Sequence, residues 1–517
     1  MERWRSYWTA PGGRLSCAFV RIAIACSLAC TIVRMRIHAI DARSTIYYAH
    51  GIWHAYPGRP PDALLAALGA IAVVATFALA VGAWSRLAHA FSLVAVLAIA
   101  THEASSQVAW SHQNVPPLLA SLAFLGARGG DALSIDAWRR RRRGLPRLDL
   151  AGAYQGSVRL VQLTIASIFF FAAICKLASG GPTLGWALSD NLRHQLLLRF
   201  DWFGRTRTHA ASWLLVRSWR YEACALANLV AQLVPMIAVV AIDRPRVRLV
   251  CGLVWIGELV GLGVVMAYWD LHWLPLAAAF VDWDWLLRAR VPDVQSPRRR
   301  GPPRFAAAFL AIYLPQALVL DQRLDLYPLS SFPMFAAIRA KRPFGRHQSY
   351  QLVGAHVELV GTRADVQAWI DGRVALRELW RERRAAVLQR ALRGILDDAR
   401  ERFPDAPPTA VRLWLGVDEV PAYPAPARLV RHEVAIVAEL ETTGRFRTAL
   451  GFATLTIVLT ALPATALLSY RDDLFAPEPR AATAITGGFV LAAPLARNAY
   501  VVAELNGARW LVAHPGR

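Results

Sequence analysis

The stretch from Ser157 to Ala178, SVRLVQLTIASIFFFAAICKLA, is long enough at helical rise to cross most of a bilayer's hydrocarbon, and Lys176 stands near its far end. Apolar runs of comparable length recur at 15–33, 63–83, 87–106, 108–126, 222–242, 249–267, 271–287 and 304–320, with two more at 449–469 and 482–503. A chain that is 56% hydrophobic and only 18% charged carries more apolar surface than a soluble core of this size needs, so an integral, multi-pass membrane protein is expected. All six cysteines fall inside the runs, where they act as small apolar side chains, and their spacing marks neither a disulfide framework nor a metal site.

A net charge of +22 would point to nucleic acid in a soluble protein. Here the arginines gather in loops between apolar runs, at Arg3 and Arg5, Arg139 to Arg143, Arg244 to Arg248 and Arg298 to Arg300, which is how orientation signals are placed. They predict a cytoplasmic N-terminus in a bacterial-type inner membrane, with the lipid bilayer as partner and no nucleic acid. The expected fold is an all-α polytopic membrane bundle of about nine spans over residues 1–320, a small extracytoplasmic α/β module over 321–446, and a C-terminal two-span hairpin over 447–517. Within the module, 350–360, 411–417 and 429–440 read as strands, and 375–403 as a charged helix stopped by Pro404. Between the fifth and sixth spans, Arg193 to Arg220 has the Trp- and Arg-rich pattern of an amphipathic interfacial or re-entrant helix.

Of the 58 basic residues only Lys176 and Lys341 are lysine. Where arginine serves every need for mere positive charge, a position that holds lysine instead marks a need for an amine that can lose its proton. The topology also sets His102, Glu103, His112, Lys176, Glu222, Asp270 and His272 at one depth, with Glu258 deeper, and intramembrane ionisable groups gathered at one level form a default site. Bland readings stand beside this one. Lys176 is close enough to a helix end to snorkel, His112 beside Trp110 and Ser111 reads equally as a hydrogen-bonded structural residue, and Glu222 can pair with Arg220. Glu258, among Gly257, Gly261 and Gly263, can bond a closely packed neighbouring helix.

Three stretches carry a resemblance: Trp110 to Asn114 (WSHQN), Gly129 to Trp138 (GGDALSIDAW), and Phe170 to Leu177 (FFAAICKL) with Trp186 downstream. In these the chain resembles the HTTM (horizontally transferred transmembrane) domain family, which includes the vitamin K-dependent gamma-glutamyl carboxylases. The resemblance covers about Arg14 to Asp321. It implies a membrane quinol, reduced vitamin K or menaquinol, as cofactor without a metal. It also implies Lys176 as the base that deprotonates the quinol, His112 as the group that orients or polarises its ring, and Trp110 and Trp186 as cofactor-binding residues; the depth of Glu222 and Glu258 adds these two to the expected cofactor-binding set. Oxygen and carbon dioxide would then carboxylate a carbon acid, in a lyase-type reaction on an extracytoplasmic protein or peptide. Cys175 stands where the carboxylases of that family have a second lysine, and apolar and glycine residues around Val260 and Gly261, with Glu258 nearby, stand where many family members have a histidine. From the residues alone, a non-catalytic scaffold for an envelope partner and a lipid or proton-coupled transporter remain rival readings.

Overall fold

The computed structural model describes residues 7–8, 12–37, 51–56, 60–107, 112–145, 154–201, 206–241, 243–288, 306–311, 344–353, 358–360, 404–419, 423–427, 430–448, 466–471, 481–485, 500–505 and 508–513, with scattered helical positions between 389 and 400. It divides into two compact units, one of residues 1–43, 47–193 and 207–340, the other of 44–46, 194–206 and 341–517.

Up to residue 288 the described elements are helical: α1 Arg14–Ile37, α2 Asp62–Val81, α3 Ser85–Gln107, α4 Val115–Phe124, α5 Ile135–Arg142, α6 Gln155–Gly180, α7 Asn191–Phe200, α8 His209–Leu214, α9 Ser218–Leu233, α10 Pro235–Val240, α11 Pro245–Met266 and α12 Trp283–Leu286. Six helical segments are long and apolar enough to cross a membrane: Arg14–Met35, Asp62–Val81, Ser85–Ser105, Gln155–Gly180, Ser218–Val240 and Pro245–Met266. That is the pattern of a multi-pass membrane protein. Buried share separates them, since 72% of the Gln155–Gly180 window is enclosed against 22% for Asp62–Val81. The first is therefore the axis of its unit. The second turns Val73, Val74 and Phe77 outward, an apolar face that lipid suits better than water.

Two expected spans are shorter than the hydropathy of their sequences indicates. Where 108–126 was expected to cross, α4 has only 10 residues, because Pro116 and Pro117 fix its start. Where 271–287 was expected to cross, a 3-10 helix at Leu271–Phe280 containing Pro275 gives way to the single turn of α12, since the proline has no amide hydrogen to continue an α-helical ladder. Of the expected span 304–320, residues 306–311 are described and helical.

Polar side chains tie these elements together. Asp284, 4% exposed, accepts from the backbone N–H of Leu15 at 3.2 Å and of Ser16 at 3.0 Å, and from Ser16 Oγ at 2.6 Å, so a residue far along the chain caps the start of α1. Asp136 does the same for α3, accepting from Trp84 N at 2.9 Å, Ser85 N at 2.8 Å and Ser85 Oγ at 2.7 Å, while Ser134 caps α5 by accepting from Ala137 N at 2.9 Å. Arg21 interrupts an apolar run and is 1% exposed; it donates to the carbonyls of Gly129 at 2.9 Å, Leu133 at 2.6 Å and Ala80 at 3.3 Å. Gly82, with φ +67°, closes α2 and leaves room for that guanidinium, whose Nη1 would lie 2.2 Å from any Cβ there.

The second unit holds β1 Phe344–Val353, β2 Glu358–Val360, β3 Ala410–Glu419, β4 Val430–Glu441, β5 Phe446–Thr448, β6 Ala466–Arg471, β7 Ala481–Ile485, β8 Tyr500–Leu505 and β9 Ala508–Ala513. They form one sheet in the order β2-β1-β3-β4-β9-β8-β6-β7, with β5 also on β4. Its centre is the antiparallel β3–β4 pair, from Ala410 opposite Glu441 to Glu419 opposite Val430, where Arg412 and Glu439 face each other as an ion pair at 2.8 Å. The strands expected at 411–417 and 429–440 are thus present. The two-span hairpin expected over 447–517 is corrected: described residues at the end of its first run and at both ends of its second are strands, and β9 joins β4 in parallel at Ile436 and Trp510. Sequences such as YVVAEL, rich in β-branched and aromatic residues, have a strand's composition as well as a membrane span's hydropathy. Residues 449–465 and 486–499, the rest of those runs, lie outside the described residues.

Replacing Asp284 by alanine removes three bonds at once and is expected to lower unfolding stability in detergent by about 1–3 kcal/mol, with Ser16→Ala costing less. An unchanged thermal midpoint for Asp284→Ala would show that α1 does not depend on this cap.

Candidate functional site

Lys176 lies in the last turns of α6 and is 2% exposed. Its position follows from what comes next. Gly180 allows the chain to fold back, because a Cβ there would lie 2.7 Å from Trp186 N, and Gly185 N bonds back to Gly180 O at 3.1 Å. Asn191 Nδ2 holds the Trp186 carbonyl at 3.2 Å. The turn so formed puts the Trp186 ring 4.4 Å from Lys176 Nζ, in cation–π geometry.

Asn228 and Gln232 stand four residues apart on α9 and so share a face. Lys176 Nζ donates to Asn228 Oδ1 and to Gln232 Oε1, each at 2.9 Å. From the other ends of the same carboxamides, Asn228 Nδ2 donates to Glu258 Oε1 at 2.5 Å and Gln232 Nε2 to the same oxygen at 3.0 Å. Amine and carboxylate are therefore joined through two polarisable amides rather than by direct contact. Glu258 is 7% exposed, on α11, and both donors converge on its Oε1. Two acceptors match the two N–H bonds of a neutral amine, and the ring face takes the third of an ammonium, so the cage accommodates both protonation states.

No family model, curated protein or solved structure matches this chain. The chemistry of the site accordingly rests on its geometry.

The ionisable residues expected at one level fall into separate groups. Lys176, Trp186 and Glu258 are brought together as described. A second network links α1, α3 and the loop before α4. Glu103 Oε2 accepts from Asn114 Nδ2 at 2.8 Å, Arg34 donates to Asn114 Oδ1 at 2.8 Å and also to Gln113 Oε1, and the Gln113 carbonyl bonds His272 Nε2 and Trp273 Nε1 at 2.7 Å each. Trp273 in turn meets Phe169 of α6 edge to face at 6.0 Å. Glu222 is on α9 but makes no bond to the Lys176 group among the described residues. Nor does it hold Arg220, which donates to the Trp213 carbonyl at 3.0 Å and lies over the Trp213 and Trp219 rings. Trp110 lies outside the described residues, as does the side chain of His112, whose backbone belongs to a short turn at His112–Asn114. Close helix packing is not what the glycines around Glu258 provide: Gly257 and Gly261 face open space, and only Gly263 lies tight, under Trp269.

Asn228 and Gln232 are the residues of the candidate site that a search for titratable intramembrane groups misses. Their signal in the sequence is modest: two carboxamides one turn apart in a helix that is otherwise apolar at that level.

Losing one charge of the Lys176–Glu258 pair leaves the other buried without compensation. Lys176→Met and Glu258→Gln are each expected to destabilise the protein by about 3–5 kcal/mol, and the double variant by less than their sum. Strict additivity in a double-mutant cycle of thermal unfolding would mean that the carboxamides do not couple the two groups.

Proposed function

We propose that the chain is a membrane quinol-dependent enzyme of the vitamin K-dependent carboxylase kind, with Lys176 as its base and the end of α6 facing the extracytoplasmic side of a bacterial-type inner membrane. The observation that supports this reading most is the cage itself: a fully buried amine bonded to two neutral carboxamides, with its carboxylate partner one carboxamide away. A direct carboxylate contact would hold the amine charged; neutral acceptors leave it free to exchange a proton. The site fits a hydroquinone in its donor set, an enclosed amine beside an indole face, Trp186 being 3% exposed.

A bound quinol would supply the reaction with oxygen that generates a base strong enough for a carbon acid. The residues of the chain do the rest. Lys176 takes the hydroxyl proton at Nζ, Asn228 and Gln232 orient the amine, and Glu258 stabilises the ammonium through them. Trp186 offers a flat surface for a ring, and the apolar helices around the site exclude water. His112 and Trp110 keep their assigned roles as proposals from the resemblance, and the sheet-bearing unit is the part proposed to meet a protein or peptide substrate.

One rival reading has an observation behind it. The same network joins α6, α9 and α11, so it also serves as a clamp between helices in a non-catalytic scaffold.

Incubation of the purified protein with reduced vitamin K or menaquinol under oxygen distinguishes the two. The wild type is expected to form quinone epoxide, and Lys176→Arg to be slower by about 100-fold or more, because guanidinium cannot act as the base. Epoxide formation at wild-type rate by a folded Lys176→Arg variant, or none from the wild type across several quinols, would leave the clamp as the better account.

A further inference from the structure

Away from Lys176, two arginines lie in the helical unit with more donors than acceptors. Arg159 is in the second turn of α6 and Arg248 in the first turn of α11, and they are 2% and 1% exposed. Among the described residues, Arg159 Nε and Nη1 and Arg248 Nε and Nη2 are enclosed and make no hydrogen bond. One carboxylate, Asp282, lies 3.3 Å from Arg248 Nη1, and it also caps α12 through Trp285 N at 3.1 Å. Arg159 has no ion pair among the described residues; its guanidinium lies over the Tyr7 ring at 4.9 Å. The exposed Asp243 acts on both arginines only at longer range, and Arg248 repels Arg159.

The surroundings add positive potential. Neither α6 nor α11 has a side-chain cap at its start, so unpaired backbone N–H groups lie in the first turn of each helix, just before Arg159 in α6 and in the turn of Arg248 in α11. Tyr7 is close to both cations: burial holds its phenol above the ordinary value, and Arg159 and Arg248 pull it back. Its hydroxyl donates to Val239 O at 3.2 Å, at the end of α10. Four enclosed guanidinium nitrogens without acceptors, in a pair of cations with one carboxylate in contact, are costly unless an anion completes them.

We propose that Arg159 and Arg248, at the starts of α6 and α11, form a binding site for a phosphate-bearing anion, with Tyr7 as its cover. Guanidinium forks match phosphate oxygens two at a time, and the anion offsets the unbalanced charge. Because the nitrogens are enclosed, binding moves the Tyr7 ring off Arg159. The phosphate belongs either to the headgroup of an anionic phospholipid or to a free ion.

The test is thermal unfolding of the purified full-length protein in detergent, titrated with phosphatidylglycerol or inorganic phosphate against chloride at matched ionic strength. The wild type is expected to be stabilised in a saturable manner, with apparent affinity at least about tenfold weaker in Arg159→Gln and in Arg248→Gln. Arg246→Gln, which removes an exposed charge from the same turn of α11, is expected to bind within about twofold of wild type. A response to phosphatidylglycerol alone assigns a lipid headgroup, and a response to inorganic phosphate assigns a free anion; either supports the site. No stabilisation by either probe, or an equal loss in Arg246→Gln, overturns it. If the glutamine variants do not fold, Arg159→Lys, which keeps the charge and loses the fork, carries the same comparison.

Discussion

An amine enclosed among apolar helices has to find oxygen, and Lys176 finds it on two carboxamides of α9 that hand the interaction on to Glu258 of α11. Much of the helical unit is arranged so that this can happen. The most enclosed of the six membrane-length helices carries the lysine, the fold-back at Gly180 brings an indole to it, and a four-residue spacing aligns the two amides. A carboxylate set directly against the amine would give a simpler and firmer ion pair. Placing neutral, polarisable groups between them keeps the charges balanced without a direct contact between amine and carboxylate.

The same constraint shapes the other buried and part-buried cations, each with a different outcome. Arg21 spends its donors on three backbone carbonyls and thereby locks loops that the sequence leaves irregular. Arg34 is held by the side-chain carbonyls of Gln113 and Asn114, and Asn114 reaches on to Glu103. Arg159 and Arg248 have the fewest internal acceptors for their number of enclosed donors. In a medium with little water, how each guanidinium is satisfied distinguishes a structural arginine from one waiting for a ligand.

Hydropathy located the long helices well, because twenty apolar residues in a row leave few alternatives. It failed at Val115–Phe124 and Leu271–Phe280, where prolines limit the helix inside an apolar run, and near the C-terminus, where β6 to β8 share the composition of a span. At the site, the scarcity of lysine singled out Lys176, and depth singled out Glu258. That these two meet, and through Asn228 and Gln232, was not legible, since uncharged amides give no signal in a search for titratable groups and helix rotation is set by packing. Glu222 shows the converse: the right depth, on the right helix, without a bond to the cluster among the described residues. The motif LSID at Leu133 to Asp136 also gains a physical reading, with Ser134 and Asp136 each capping a helix start.

Because Lys176 and Lys341 are the only lysines, the state of the amine can be read directly. Nitrogen-15 labelling of lysine side chains in a Lys341→Arg background leaves one Nζ resonance, that of Lys176, to follow by NMR while a non-oxidisable quinol analogue is added. If Lys176 is the base, the resonance moves between its neutral-amine and ammonium positions as the analogue binds or the pH changes. A resonance fixed at the ammonium position throughout, with the protein folded and the analogue bound, would contradict the assignment of Lys176 as a proton acceptor.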